Sequence, residues 1–448
     1  MTTLAEAPPV RTGAGWLMLA TTASGLVNYA YALLLTRGLT PAEYAAFAGG
    51  QALLLVRATI SAAGIPWILA RELAQPGTDR FLVTTFAFWA NLALGGILTV
   101  VIGGLVLTFA GFREAVVVAL ASLVMSVGST SMGFLQGTAR MSRMAALFAL
   151  EAVTKVAVGT ALVFVAHLGS AGALAGFVAG SLVLLTPLPL YRHLVGRPAV
   201  AHTSFLRGAL RQTRLQGAVA VIAATDTVLA AVLGAPAYQA ASALGRVPLF
   251  ASNAVATAAF PLLGSPLSKA AALRSYLLVG LFLTGAMITL PAALRSALFP
   301  ATFAAIGEWL PYAAILGLAI GLLNLCVSFL QAGTGSSAPV VILAAACLGL
   351  VALSGAAFGV AGLAWGSALF MLLAVAALAF HSSVRPGWRA LLGCRRNLRD
   401  LSGVLALMCL LGLATNPALW LAVVAIGGLA VLALAFPEFA PRRGFAQR

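Results

Sequence analysis

Apolar runs of about twenty residues or more, each closed by Pro, Gly or Arg, recur along the whole chain. A hydrocarbon core roughly 30 Å thick takes about 20 apolar residues in a helix. The runs therefore predict about fourteen transmembrane helices, over 13–35, 45–70, 81–110, 114–138, 144–167, 170–191, 211–233, 236–264, 272–298, 304–331, 338–358, 361–381, 401–415 and 418–436. The first follows a short polar tail and is too long for a signal-peptide core, so it reads as a retained helix. The thirteenth is the shortest.

Within the runs, polar positions keep helical spacing, and the pattern repeats. Gln136, Gly133, Ser129, Ser126 and Ser122 share one face of the fourth helix, which ends in "GFLQGTAR". Gln331, Ser328, Asn324, Gly321 and Gly317 do the same on the tenth, which ends in "SFLQAGTG". "LTPAEY" ending at Tyr44 returns as "LGAPAY" ending at Tyr238, and "GSAGALAG" from Gly169 returns as "GVAGLAWG" from Gly359. Order is kept while the offset drifts by a few residues, so helices one to six and seven to twelve form a direct repeat. An even number of spans gives both copies the same orientation, with the substrate site expected between them.

Composition fits this reading: 62% of residues are hydrophobic, 8% are charged, and the mean hydropathy is +1.05. That is too little charge to cover a water-soluble chain of 448 residues. The net charge of +16 would suggest nucleic acid were it not for its placement. With the N-terminus taken as cytoplasmic, 20 Lys and Arg fall in inner segments, and only Arg37, Arg113 and Arg295 fall outside. This is the positive-inside asymmetry of a multi-pass cell-membrane protein with both termini cytoplasmic, and it leaves no role for nucleic acid. The expected architecture is all-α: a cytoplasmic tail (1–12), a six-helix bundle (13–191), a basic linker (192–210), a second bundle (211–381), a basic loop (382–400), an added helix pair (401–436) and a tail (437–448).

Apart from those at span ends, six ionisable residues remain inside the spans: Arg57, Glu151, Lys155, Asp226, Arg246 and Glu308. A charge at mid-bilayer costs about 2.5–3.5 kcal/mol on insertion scales, so each requires a reason. Arg246 shares a polar face with Gln239, Ser242, Asn253 and Thr257, beside a helix bend expected at Pro248. It reads as cavity-lining, with a structural ion pair as the alternative. Arg57 lies among Ala46, Gly50, Ser61 and Gly64, and by repeat offset falls near position 251, close to Arg246. Its planar fork suits phosphate oxygens; snorkelling or pairing with Asp226 is the alternative. Gln136, Gln331 and Asn253 complete the candidate cavity surface. Glu151 and Lys155 are four apart in the order that favours mutual neutralisation. Asp226 suits a coupling cation or an arginine partner equally well, and Glu308 beside Trp309 reads as interfacial.

Enzyme signatures are missing. The chain has no phosphate-binding loop with Lys, no histidine pair at metal spacing and no Ser/His/Asp grouping, and it implies no cofactor and no metal. His167, His193, His202 and His381 stand isolated near span ends, and the cysteines lack metal-ligand spacing. The pattern is that of a carrier.

Three segments carry a family resemblance: "NYAYALLLTRGLTPAEYAAFAGGQALL" (28–54), "GFLQGTARMSRMAALFALEAVTKVAVGTALV" (133–163), and "TDTVLAAVLGAPAYQAASALGRVP" (225–248) followed by "AAFPLL". They resemble the polysaccharide-biosynthesis (O-antigen or repeat-unit) flippases of the multidrug/oligosaccharidyl-lipid/polysaccharide exporter superfamily. The resemblance implies two six-helix bundles around a cavity that opens alternately to either side. It also implies a polyprenyl-pyrophosphate-linked glycan as cargo, with other polysaccharide-assembly proteins as partners. By position, Arg57, Lys155 and Arg246 would form the cationic surface for the pyrophosphate. The alternatives are a cation-coupled multidrug antiporter of the same fold and a non-transporting scaffold.

Overall fold

The computed structural model describes residues 24–25, 27–186, 203–249, 251–252, 255, 263, 265–332 and 338–436, with backbone alone at 62–63, 203–208 and 211–212. Among the described residues every regular element is helical, and nine helices are long and apolar enough to cross a membrane. The chain divides into two compact units, Met1–Gly234 and Ala235–Arg448.

The first unit holds α1 (27–38), α2 (Pro41–Ala63), α3 (Ile65–Leu73), α4 (Arg80–Val106), α5 (Phe112–Gly137), α6 (Met141–Phe164), α7 (Gly169–Val183) and α8 (Thr203–Val232). Pro41 opens α2 behind a capping box: the Glu43 amide donates to Thr40 Oγ1 at 3.3 Å, and the Thr40 amide donates to Glu43 Oε2 at 2.9 Å. The second span runs on through α3 to Leu73, beyond the expected 45–70, but it breaks at Gly64 (φ −90°, ψ −111°) ahead of Pro66. Gly172, Gly176 and Gly180 recur every fourth residue of α7. This brings its backbone against Lys155, Gly159 and Glu151 of α6, the close approach that small residues permit in lipid.

Repeat counting groups α8 with the second half of the chain, yet α8 packs in the first unit, along α2. Gly49 of α2 meets Ala231, Ile60 meets Gly217, and Gly64 meets Thr213, so the two helices run antiparallel over small residues. The compact units thus part at Gly234, one helix later than the repeat. A repeat records the order of the chain, whereas a compact unit records where its faces are buried.

The second unit holds α9 (Pro236–Gly245), α10 (Pro266–Ile288), α11 (Ala292–Leu298), α12 (Ile306–Gln331), α13 (Ala338–Ala379), α14 (Arg385–Leu392), α15 (Arg395–Leu413) and α16 (Pro417–Ala435). Two expected spans are cut short at Pro, and one expected break holds at Gly. α9 ends at Gly245, a turn before the bend expected at Pro248, because a proline ring clashes with the carbonyl four residues back. The ninth span stops at Ile288 and resumes past Pro291 as the short α11. The eleventh and twelfth spans are the two legs of α13, which reverses at Gly359 (φ 61°), so that Gly362 and Gly366 pack on Ser354.

Both ends of α10 fasten the last two helices. Arg274 pairs with Asp400 at 2.6 Å and donates to the Leu434 carbonyl at 3.0 Å, while Ser275 bonds the Ala435 carbonyl at 2.9 Å. At the far end the Trp420 indole donates to Thr289 Oγ1 at 3.1 Å. In between, Gly285 admits Met408, and Gly427 admits Phe282.

Candidate functional site

The polar stripe of α5 has a partner stripe on α4 that the sequence reading passed over. Asn91, Gly95 and Thr99 recur every fourth residue, and they meet Thr130, Ser126 and Ser122 in antiparallel register. Asn91 Nδ2 donates to Thr130 Oγ1 at 2.9 Å, Thr99 Oγ1 donates to Ser122 Oγ at 3.3 Å, and Gly95 lies against the Ser126 side chain. Each step of four along α4 is matched by a step of four back along α5. The signal that could have revealed it is a buried asparagine at helical spacing from a glycine and a threonine.

Arg57 enters this seam from α2 at its middle rung, where Gly95 contributes no side chain. Among the described residues it is the largest fully buried side chain, 1% exposed, and its Nη2 donates to Ser126 Oγ. Ser126 in turn donates to the Ser122 carbonyl at 2.8 Å. The Nε and Nη1 atoms of Arg57 are buried with no hydrogen-bond partner among the described residues. A guanidinium enclosed with two donors unmet is a strong attractor for oxyanions, because burial removes its water and one hydroxyl replaces only part of it. Gly50, on the same face of α2, meets Leu174 and Val118, so here the small residues admit neighbouring helices.

The second unit repeats the contact with different chemistry. Ser252 lies 195 positions after Arg57, and Gly321 lies 195 after Ser126. Ser252 Oγ donates to the Gly321 carbonyl at 2.8 Å and accepts from Asn324 Nδ2 at 3.5 Å; Ser328 Oγ donates to the Asn324 carbonyl at 3.0 Å. The tenth-helix stripe thus faces the chain beyond α9, as the fourth-helix stripe faces α2. The counterpart of Arg57 is Ser252, and the duplicated node carries its cation in the first copy only. Arg246 instead caps the C-terminus of α9, half-buried, where Gly245 packs on Gly317 and Ala313 of α12.

The remaining candidates are dispersed. Lys155 is 3% exposed, pairs with Glu151 at 3.0 Å and stands 4.9 Å from the centre of the Phe177 ring, so α6 and α7 meet its charge between them. Asp226 is 2% exposed on α8 and accepts from Thr227 Oγ1 at 3.4 Å. Gln136 and Gln331 are half-buried at the ends of α5 and α12. Asn253 and Thr257 lie outside the described residues. Among the described residues no three His, Cys, Asp or Glu side chains gather as metal ligands.

Whole-chain likeness to solved structures runs in one direction. The lipid II flippase MurJ, in an inward closed conformation, superposes with a TM-score of 0.66 over 95% of this chain and 99% of its own, at 13% identity. An inward-facing multidrug resistance MATE transporter of the MOP superfamily gives a TM-score of 0.57 at 14% identity, over 85% of this chain and 95% of its own. The Vibrio cholerae MATE transporter VcmN gives 0.56 at 14% identity, over 87% and 97%. No protein-family profile and no curated protein matches the chain in sequence. The likeness bears out the all-helical membrane fold expected from the sequence, and it is to a flippase and to multidrug transporters alike.

Proposed function

We propose that the protein is a cell-membrane flippase that carries a polyprenyl-pyrophosphate-linked oligosaccharide from the inner to the outer leaflet for surface-polysaccharide assembly. Both termini are cytoplasmic in this reading. The observation that supports it is Arg57, a fully enclosed guanidinium with two donors free, set among hydroxyls of α4 and α5. Such a site prefers a phosphate oxyanion to an organic cation. The MurJ likeness adds a precedent for a lipid-linked cargo on this fold.

The physical task is to move a sugar head group past hydrocarbon that offers its hydroxyls no hydrogen bonds. A polar groove supplies substitute partners while the polyprenyl tail stays in the bilayer. The seam side chains Asn91, Thr99, Ser122 and Thr130 are of the right kind, and Arg57 holds the pyrophosphate. For that group to reach Arg57, α2 must shift from α4 and α5, and the break at Gly64 provides the hinge. Lys155, committed to Glu151, positions α6 against α7 in this scheme.

The test is complementation of a deletion strain. The strain should accumulate inner-leaflet lipid-linked oligosaccharide; wild-type protein should clear it, and the Arg57→Met variant should not. Clearance by that variant would overturn the assignment. A cation-coupled multidrug antiporter is the second reading, favoured by the buried carboxylate of Asp226. It predicts instead that Asp226→Asn abolishes drug resistance while oligosaccharide levels stay unchanged.

A further inference from the structure

The segment joining the second leg of α13 to α15 is held as a fixed plate. Val384 and Leu391 are fully buried, and Gly387 rests on Lys269 of α10. Lys269 Nζ donates to the Ser383 carbonyl at 2.7 Å and lies 5.8 Å from the centre of the Phe329 ring on α12. Asn397 Nδ2 closes the turn onto the Leu391 carbonyl at 3.2 Å. On the outer side of this plate stand Arg385, Arg389, Arg395, Arg396 and Arg399, all exposed, with Leu392 and Leu398 exposed among them.

Asp400 is the one acid of this segment. Asp400 is 8% exposed and taken by Arg274 at 2.6 Å, leaving Arg399 a contact of 3.7 Å. Three of the arginines stand on the first turns of α15, the end of a helix where its dipole disfavours cations, so helix stability does not explain them. The segment joins two apolar helices, which keeps it at the membrane boundary. Arginines interleaved with exposed leucines on a rigid support fit a bilayer surface, with guanidinium groups at headgroup phosphates and leucines in the acyl region.

We propose that this plate is a binding surface for anionic phospholipid headgroups of the protein's own membrane, separate from the Arg57 site. The experiment uses full-length protein in mixed micelles of phosphatidylglycerol and phosphatidylcholine, reading the retained lipid by native mass spectrometry. Wild type should retain phosphatidylglycerol preferentially, and raising salt from about 0.05 M to about 0.5 M should erode the preference. Replacing Arg385, Arg389, Arg395 and Arg396 together by Gln should remove it, at up to about fivefold per arginine. Replacing the same four by Lys should preserve it. Absence of preference in wild type, an unchanged preference in the Gln variant, or its loss in the Lys variant would each overturn the proposal. So would displacement of the lipid by inorganic phosphate at constant ionic strength, which would mark a site for a free anion. If the Gln variant does not fold, the salt series and the Lys variant still decide.

Discussion

Replacing Arg57 by Met should make the protein more stable and abolish transport. The guanidinium is 1% exposed and, among the described residues, makes one hydrogen bond, to Ser126, and leaves Nε and Nη1 unmet. Each buried donor without a partner costs about 1–3 kcal/mol, whereas one charge-assisted bond returns about 1.5–3 kcal/mol. Met fills a similar length with no polar atoms, and Ser126 is not stranded, since its hydroxyl still donates to the Ser122 carbonyl at 2.8 Å. The expected gain is about 1–3 kcal/mol, within the range seen when buried ions give way to apolar residues of like size. Arg57→Ala, which leaves a void, should gain less. The assay is the midpoint of denaturant-induced unfolding of purified protein in detergent, alongside oligosaccharide clearance in cells. A loss of more than about 1 kcal/mol in the Met variant would refute the reasoning. The guanidinium would then be a structural strut, and its use for an anion would lose its basis.

Gly95→Ala should destabilise by about 1–3 kcal/mol, because the added methyl overlaps the Ser126 side chain, and Ser126→Gly should restore part of the loss in the double variant. Lys155→Ala should cost about 3 kcal/mol by leaving Glu151 unpaired, and more than the Glu151→Ala/Lys155→Ala double variant, as read by the same unfolding midpoint. Asp400 has its carboxyl held below the usual carboxylate range, first by the Arg274 hydrogen bond and further by the charges of Arg274, Arg399 and Arg396, with burial opposing. A depressed carboxyl contributes stability above its unfolded pKa of about 3.9 and loses it as pH falls through the lower folded value. Thermal midpoints of wild type and Asp400→Asn should therefore differ at pH 7 and converge below about pH 4. Gly359→Ala should cost about 1–3 kcal/mol from backbone strain alone, since its φ of 61° and ψ of −144° suit only glycine while no neighbour crowds the new methyl; an unchanged midpoint would contradict this.

The sequence by itself determined the class of the molecule and much of its outline. Lipid satisfies no backbone group, so a chain with long apolar runs and little charge must fold as helices, and Pro and Gly mark where those helices stop. The break at Gly64 and Pro66, the interruption at Pro291 and the reversal at Gly359 all sit on such residues, although the reading placed two of them several residues off or missed them. The polar face of α5 was legible for the same reason, since helical spacing alone puts Ser122, Ser126 and Ser129 on one side. Only the tertiary structure decided what that face meets. Periodicity states which side of a helix is polar but not which helix turns toward it. The contact of Arg57 with Ser126 spans 69 residues, and nothing local encodes it. The same limit left the counterpart of Arg57 near position 251 with no contact assigned, whereas packing sets Ser252 on Gly321 as Arg57 is set on Ser126, and it let repeat order assign α8 to the second half while its small residues bury it against α2.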